Sequence, residues 1–222
     1  MRREFILVAG PNAAGKTTVI ENNRALLESS GFRIIIPDDI LKYATSHTDV
    51  TEVIREHVDE ALIEKKNIVL ETPFQFKGLS KTIGRIKVED YNLSIYQVFV
   101  ADAEESISRV KDRFKESGRF INSEEVKSNF DANMKNVAEQ FGRFDHSYFI
   151  DNSTNKGMKL AAEFEKGKLI RFHPSDNFYL RNLFKLSAKA KKINATTLKI
   201  ILANKHFPGL LPKRKSKRRL KL

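Results

Sequence analysis

An apolar run, Phe5-Ile6-Leu7-Val8-Ala9, passes directly into Gly10-Pro11-Asn12-Ala13-Ala14-Gly15-Lys16-Thr17, and this junction restricts the fold more than any other feature of the chain. Apolar residues without polar alternation describe a strand buried on both faces, as in a parallel sheet covered by helices. Residues 10–17 fit the pattern G-x-x-x-x-G-K-[ST]. Glycines at its ends let backbone N–H groups turn inward around phosphate oxygens, and the helix that follows adds unpaired N–H groups and a positive dipole end. The pattern predicts a cradle for ATP or GTP that continues to Thr18, with Lys16 on the β- and γ-phosphates and the Thr17 hydroxyl on Mg²⁺.

Downstream, strand and helix patterns alternate. Residues 33–36, 67–70, 94–100 and 148–150 read as strands, and helices are expected to about residue 28, over roughly 49–66 and 78–90, from Asp102, and from Ser123. Such alternation implies βαβ units and an α/β fold, a P-loop NTPase with a parallel sheet of about five strands flanked by helices. After Asp151 the pattern changes. Ala162-Glu163-Phe164 and Leu169-Ile170-Arg171-Phe172 flank a Lys166-Gly167 turn and read as a C-terminal β-hairpin. The expected organisation is a kinase-like domain over 1–172 and a basic extension over 173–222, weakly patterned apart from one helix before Pro208-Gly209.

Charge separates these regions. The chain carries a net +12, yet residues 1–150 hold 21 Lys+Arg against 24 Asp+Glu, while 151–222 hold 19 against 4. The basic character therefore belongs to the C-terminal third, ending in Lys213-Arg214-Lys215-Ser216-Lys217-Arg218-Arg219, and a nucleic-acid partner is expected for that tail if it has one. There is no cysteine, which excludes disulfides and thiolate metal sites. No apolar stretch approaches the ~18 residues of a membrane span, and residues 5–9 are too short for a secretory core, so the reading is a soluble, cytoplasmic chain without a membrane partner.

Three groups outside the loop are candidates for chemistry. Asp38 and Asp39 follow a strand and Pro37, where strand ends face the ligand crevice of an α/β sheet. Asp38 is expected to accept the proton of an attacking hydroxyl, with Asp39 capping the next helix. Glu71 closes the strand at 67–70, the place of a carboxylate that orients Mg²⁺ or its water. Arg109 and Arg113 lie four apart on a helix, and Arg119 follows in a glycine-containing segment. Arginine forks there suit the charge spread over a transferring phosphoryl group, and the competing reading is a solvated face with Glu105 paired to Arg109. Asp102 reads as a helix cap.

The loop, Pro37-Asp38-Asp39, Glu71-Thr72 and the Arg109/Arg113/Gly118 block together resemble the zeta-toxin-like P-loop kinases, over roughly residues 4–172. The resemblance implies a nucleotide-kinase-like fold, phosphorylation of a small-molecule hydroxyl such as that of a UDP-sugar, substrate contacts from Glu71 and Thr72, and a neutralising antitoxin partner. The chain departs from the family at Ala13, where many relatives carry glycine, at Pro73, where a second threonine is common, and at Asn129-Phe130, near a frequent Arg-Tyr. The expected function is ATP- or GTP-dependent phosphotransfer. The alternatives are a polynucleotide kinase and a nucleotide-binding regulatory module without catalysis.

Overall fold

In a computed structural model, described for residues 2–41, 50–73, 79–117, 122–153, 157–203 and 220, one mixed sheet organises the chain. Its strands are β1 (Glu4–Ala9), β2 (Phe32–Ile35), β3 (Asn67–Thr72), β4 (Asn92–Phe99), β5 (His146–Asp151), β6 (Lys159–Glu165) and β7 (Lys168–Phe172), in spatial order β2-β3-β1-β4-β5-β6-β7. The first five run parallel. The expected five parallel strands and the C-terminal hairpin are joined in one seven-stranded sheet, because β6 pairs antiparallel along β5 and satisfies what would otherwise be an open edge.

The helices are α1 (Lys16–Glu21), α2 (Arg24–Ser29), α3 (Pro37–Leu41), α4 (Val50–Ile63), α5 (Leu79–Val88), α6 (Ala103–Ser117), α7 (Ser123–Gln140), α8 (Phe178–Lys189) and α9 (Ala195–Leu202). All of β1 and β3 after the first residue, and most of β4, are buried, as their unbroken apolar runs require. Registered neighbours share a sheet face. On one face Phe149 and Phe164 pack with Phe141 and Phe184, ring centroids 5.0–5.7 Å apart in the tightest contacts. These rings are core, each side chain worth about 1.5–3 kcal/mol of burial.

Among the described residues, the weakly patterned stretch after Phe172 contains two helices where one is expected. Tyr179, Leu180, Leu183 and Phe184 of α8 are fully buried in the same core as the sheet. Apolar residues at i, i+1, i+4 and i+5 are a helix stripe that the surrounding lysines and arginines disguised. Leu220 is also buried, its N–H donating to Tyr96 Oη at 3.1 Å. The run 213–219 lies outside the described residues. Among the described residues, no helix is long and apolar enough to cross a membrane.

Candidate active site

The loop between β1 and α1 closes against the rest of the fold at several points. Gly10 sits so close to β4 that a Cβ would lie 2.2 Å from the Val98 carbonyl oxygen, and only glycine fits. Gly15 has φ +99°, and a Cβ there would strike Asn152 and Met158. Ala13, the departure from glycine, adopts φ +54°, a conformation unfavourable for a residue with a Cβ. Its methyl packs against Ile107, Val110 and Val126 of α6 and α7, which offsets the strain.

Three residues that motif reasoning did not single out for the cradle hold it in shape. Ser106 Oγ donates to the Asn12 carbonyl at 2.6 Å, Asn129 Nδ2 to Asn12 Oδ1 at 3.0 Å, and Asn152 Nδ2 to the Ala14 carbonyl at 2.8 Å. Asparagine and serine read locally as turn or cap formers, and their partners lie about 94 to 138 residues away in sequence. Within the loop, the Ala14 N–H donates to the Pro11 carbonyl at 3.3 Å. Thr18 is exposed on α1.

Lys16 and Thr17 meet Glu71 across the β1–β3 pair. Register sets Val8 opposite Glu71 and Ala9 opposite Thr72, so the carboxylate emerges beside the loop. Thr17 Oγ1 donates to Glu71 Oε2 at 2.8 Å, and Lys16 Nζ stands 4.0 Å from Glu71 Oε1 while donating to the Pro11 carbonyl at 3.0 Å. Both charged groups are almost wholly buried. Burial dominates each, lowering the Lys16 ammonium and raising the Glu71 carboxyl, while their mutual attraction and the Thr17 hydrogen bond oppose the shifts. Glu71 thus touches the hydroxyl expected to hold Mg²⁺, the arrangement of the metal-orienting reading. Thr72 is fully buried at the end of β3.

Asp38 lies in the first turn of α3, and Arg113 Nη2 reaches its Oδ2 at 3.2 Å from α6. Asp38 and Arg113 both act electrostatically on Lys16 and Glu71, so the four form one charged cluster. Asp39 is inside the first turn, because α3 begins at Pro37; it is not the cap residue. It stands 4.0 Å from Arg24 of α2. Arg109 pairs with Glu105 at 2.7 Å and donates to the Asn152 carbonyl at 2.5 Å, so one guanidinium ties α6 to the residue bracing the loop. The solvated-face alternative named this same Glu105 partner. Asp102 caps α6, accepting from the Glu105 N–H at 2.8 Å while Glu105 accepts from the Ala101 N–H. Arg119 lies outside the described residues.

Known proteins resemble this chain in family and in fold. The zeta toxin family model matches residues 2–158. No curated protein matches the chain in sequence. Among solved structures, a chain of the PezAT chromosomal toxin-antitoxin system of Streptococcus pneumoniae superposes with TM-score 0.55 at 14% identity, over 85% of each chain. A chain of the AvrRxo1-ORF1:AvrRxo1-ORF2 structure with sulphate ions gives TM-score 0.60 at 14% identity, over 91% of this chain and 75% of that one. A chain of the Pnkp1/Rnl/Hen1 RNA repair complex gives TM-score 0.49 at 16% identity over 61% of this chain, which spans 46% of that protein's length. With a P-loop, a 2-3-1-4-5 parallel core and a family match across most of its length, the chain belongs to the zeta toxin family of P-loop kinases.

Proposed function

We propose that the protein transfers the γ-phosphoryl group of ATP to a hydroxyl of a small molecule, with a nucleotide sugar as the first acceptor class to test. The observation that carries this reading is the Thr17 hydroxyl bonded to Glu71 beside buried Lys16, within one cluster with Asp38 and Arg113. The residues fit Mg·ATP: a glycine-edged cradle for phosphates, a hydroxyl and a carboxylate for the ion, and a lysine with no closer carboxylate than 4.0 Å among the contacts described. Bound there, Mg²⁺ would supply charge neutralisation between the β- and γ-phosphates.

The roles of the side chains follow from where they stand. Residues 10–18 hold the triphosphate, Lys16 balances its charge, and Thr17 with Glu71 defines the ion's place. Asp38 orients the acceptor hydroxyl and takes its proton as the oxygen bonds to the γ-phosphorus and the bond to the β–γ bridging oxygen breaks, releasing ADP. Arg113 is released from Asp38 to the equatorial oxygens, where a guanidinium fork gains most. Arg109 adds positive charge beside the loop that it braces through Asn152, and the sequence motif adds Arg119 to that set. Family membership and the likeness to a chain of the PezAT toxin-antitoxin system support a neutralising antitoxin partner for this chain as well.

A second reading, a polynucleotide kinase or a nucleotide-dependent nucleic-acid binder, is favoured by one observation, the +15 carried by residues 151–222. Incubation with γ-labelled ATP against nucleotide sugars, nucleosides and oligonucleotides separates them. Label on a nucleotide sugar supports the proposal, label on an oligonucleotide end replaces its acceptor, and nucleotide binding without transfer to any acceptor or to water sinks the catalytic reading.

A further inference from the structure

Helix α7 carries two asparagines one turn apart, and they hold different halves of the site. Asn129 grips the phosphate loop through Asn12. Asn133 Nδ2 donates to the Pro73 carbonyl at 2.8 Å, immediately after Glu71 and Thr72 at the end of β3. Residues four apart lie along one side of a helix, so a single rigid element sets the spacing between the two attachments.

The surroundings of Asn133 show what fixes its orientation. Asn133, Gln97 of β4 and Tyr179 of α8 are all fully buried. Tyr179 Oη donates to Asn133 Oδ1 at 2.5 Å and Gln97 Nε2 donates to the same oxygen at 2.8 Å. Burial keeps the Tyr179 phenol well above its ordinary pKa, and it remains a donor. A proline carbonyl only accepts, so Asn133 must turn its NH₂ group to Pro73 and its oxygen inward. Gln97 must then present its own NH₂, which leaves Gln97 Oε1 buried with no partner among the described residues. An orphaned buried acceptor is unfavourable. Turning the Gln97 amide round would set its oxygen against Asn133 Oδ1, which the bond to Pro73 holds inward, and against the Val98 carbonyl, which lies 3.4 Å from Gln97 Nε2.

We infer that Asn133 is a positioning residue: through the Pro73 carbonyl it holds the end of β3, and with it Glu71, at a set distance from the phosphate loop that Asn129 holds from the same helix. Its consequence for catalysis rests on the phosphotransferase reading above; its geometric content does not. Asn133→Leu keeps the branched shape and cannot bond to Pro73. Tyr179→Phe is milder, retaining Asn133 and removing one of the donors that orient it.

The primary measurement is amide hydrogen exchange at Glu71 and Thr72 in the full chain with saturating Mg·ATP. Asn133→Leu is expected to speed exchange there at least about tenfold, and Tyr179→Phe roughly threefold, with residues 10–17 within about twofold of wild type. With the acceptor found in the labelling panel, or with water as acceptor, Asn133→Leu lowers kcat at least about tenfold while the Kd for Mg·ATP changes less than about threefold. Should Asn133→Leu fail to fold, Tyr179→Phe decides by the same readout. Exchange at Glu71 and Thr72 indistinguishable from wild type in the folded variants overturns the inference. A wild-type protein that binds Mg·ATP and turns nothing over sinks the phosphotransferase reading, and the exchange measurement still decides this one.

Discussion

The phosphate loop and the Asp38–Arg113 side of the site are built in opposite ways. The loop is closed: its backbone is bonded from α6 and from the segment after β5, its Asn12 side chain is bonded from α7, and Lys16 is almost wholly buried behind it. Among the described residues the opposite side is more exposed, with Arg113 half exposed and paired with Asp38 at 3.2 Å. Exposed ion pairs are worth about 0–1 kcal/mol, so that contact exchanges readily for a ligand. On the proposed reading, the contrast makes the nucleotide half preorganised and leaves the acceptor half to be completed by what binds there.

Breaking the closed half should have the largest effect. Mg·ATP is expected to raise Tm by mass action, on the order of 2.7 kcal/mol of stabilisation at a hundredfold excess over Kd, and Lys16→Ala should abolish most of that shift and all transfer. Thermal melts with and without nucleotide measure it; a wild-type protein unresponsive to every triphosphate at millimolar concentration would falsify the assignment of the loop.

The open half should separate chemistry from binding. Asp38→Asn is expected to fold normally and bind Mg·ATP nearly as well, while transfer falls by roughly 10²–10⁴-fold, the scale of general-base catalysis. Loss of nucleotide binding instead would give Asp38 a metal role. Asp39→Asn, inside the first turn of α3, should leave turnover largely intact. Arg113→Ala should lower kcat roughly tenfold or more with a smaller change in nucleotide affinity, and Arg113→Lys, which keeps the charge without the fork, should fall between. Unchanged turnover in Arg113→Ala returns this residue to a solvated ion pair.

A smaller effect links the two halves at Glu71. Its folded carboxyl is raised above the ordinary value of 4.5, so in the ligand-free protein its contribution favours the fold when protonated, is fully present below the unfolded value, and is lost as pH rises through the folded one. Mg²⁺ requires the ionised form. Mg·ATP affinity should therefore weaken as pH falls, beginning above the range of an exposed glutamate, and Glu71→Gln should flatten that slope while weakening binding overall. Calorimetric titration across pH 5–8 checks both; identical slopes for wild type and variant would remove Glu71 from the ion's surroundings. The smallest effect belongs to Ala13→Gly, which relieves a positive φ worth about 1–2 kcal/mol of strain but forfeits the methyl packed on Ile107, Val110 and Val126. Opposed terms of similar size predict a Tm change of only a few degrees, read from the same melts.

Local chemistry made part of this molecule legible in advance. The run at 5–9 and the glycine-lysine spacing after it encode a buried strand and a phosphate cradle within a few residues, because backbone conformation and hydrogen-bond donors act over that range. The alternation of strands and helices is likewise local, as is the Asp102 cap. What only the tertiary structure decided are contacts between residues distant in the chain. Whether Glu71 faces Thr17 depends on the β1–β3 register, and a slip of one residue would turn it to the other face of the sheet. The hairpin became part of the sheet because β5 offered an edge, and α8 became core because its apolar stripe met Phe149 and Phe164 rather than solvent. Asn129, Asn133 and Asn152 carry no signal of their own, since an asparagine amide bonds equally well to any nearby donor or acceptor. Only the packing of α7 and β5 against the loop and β3 selects which bonds it makes.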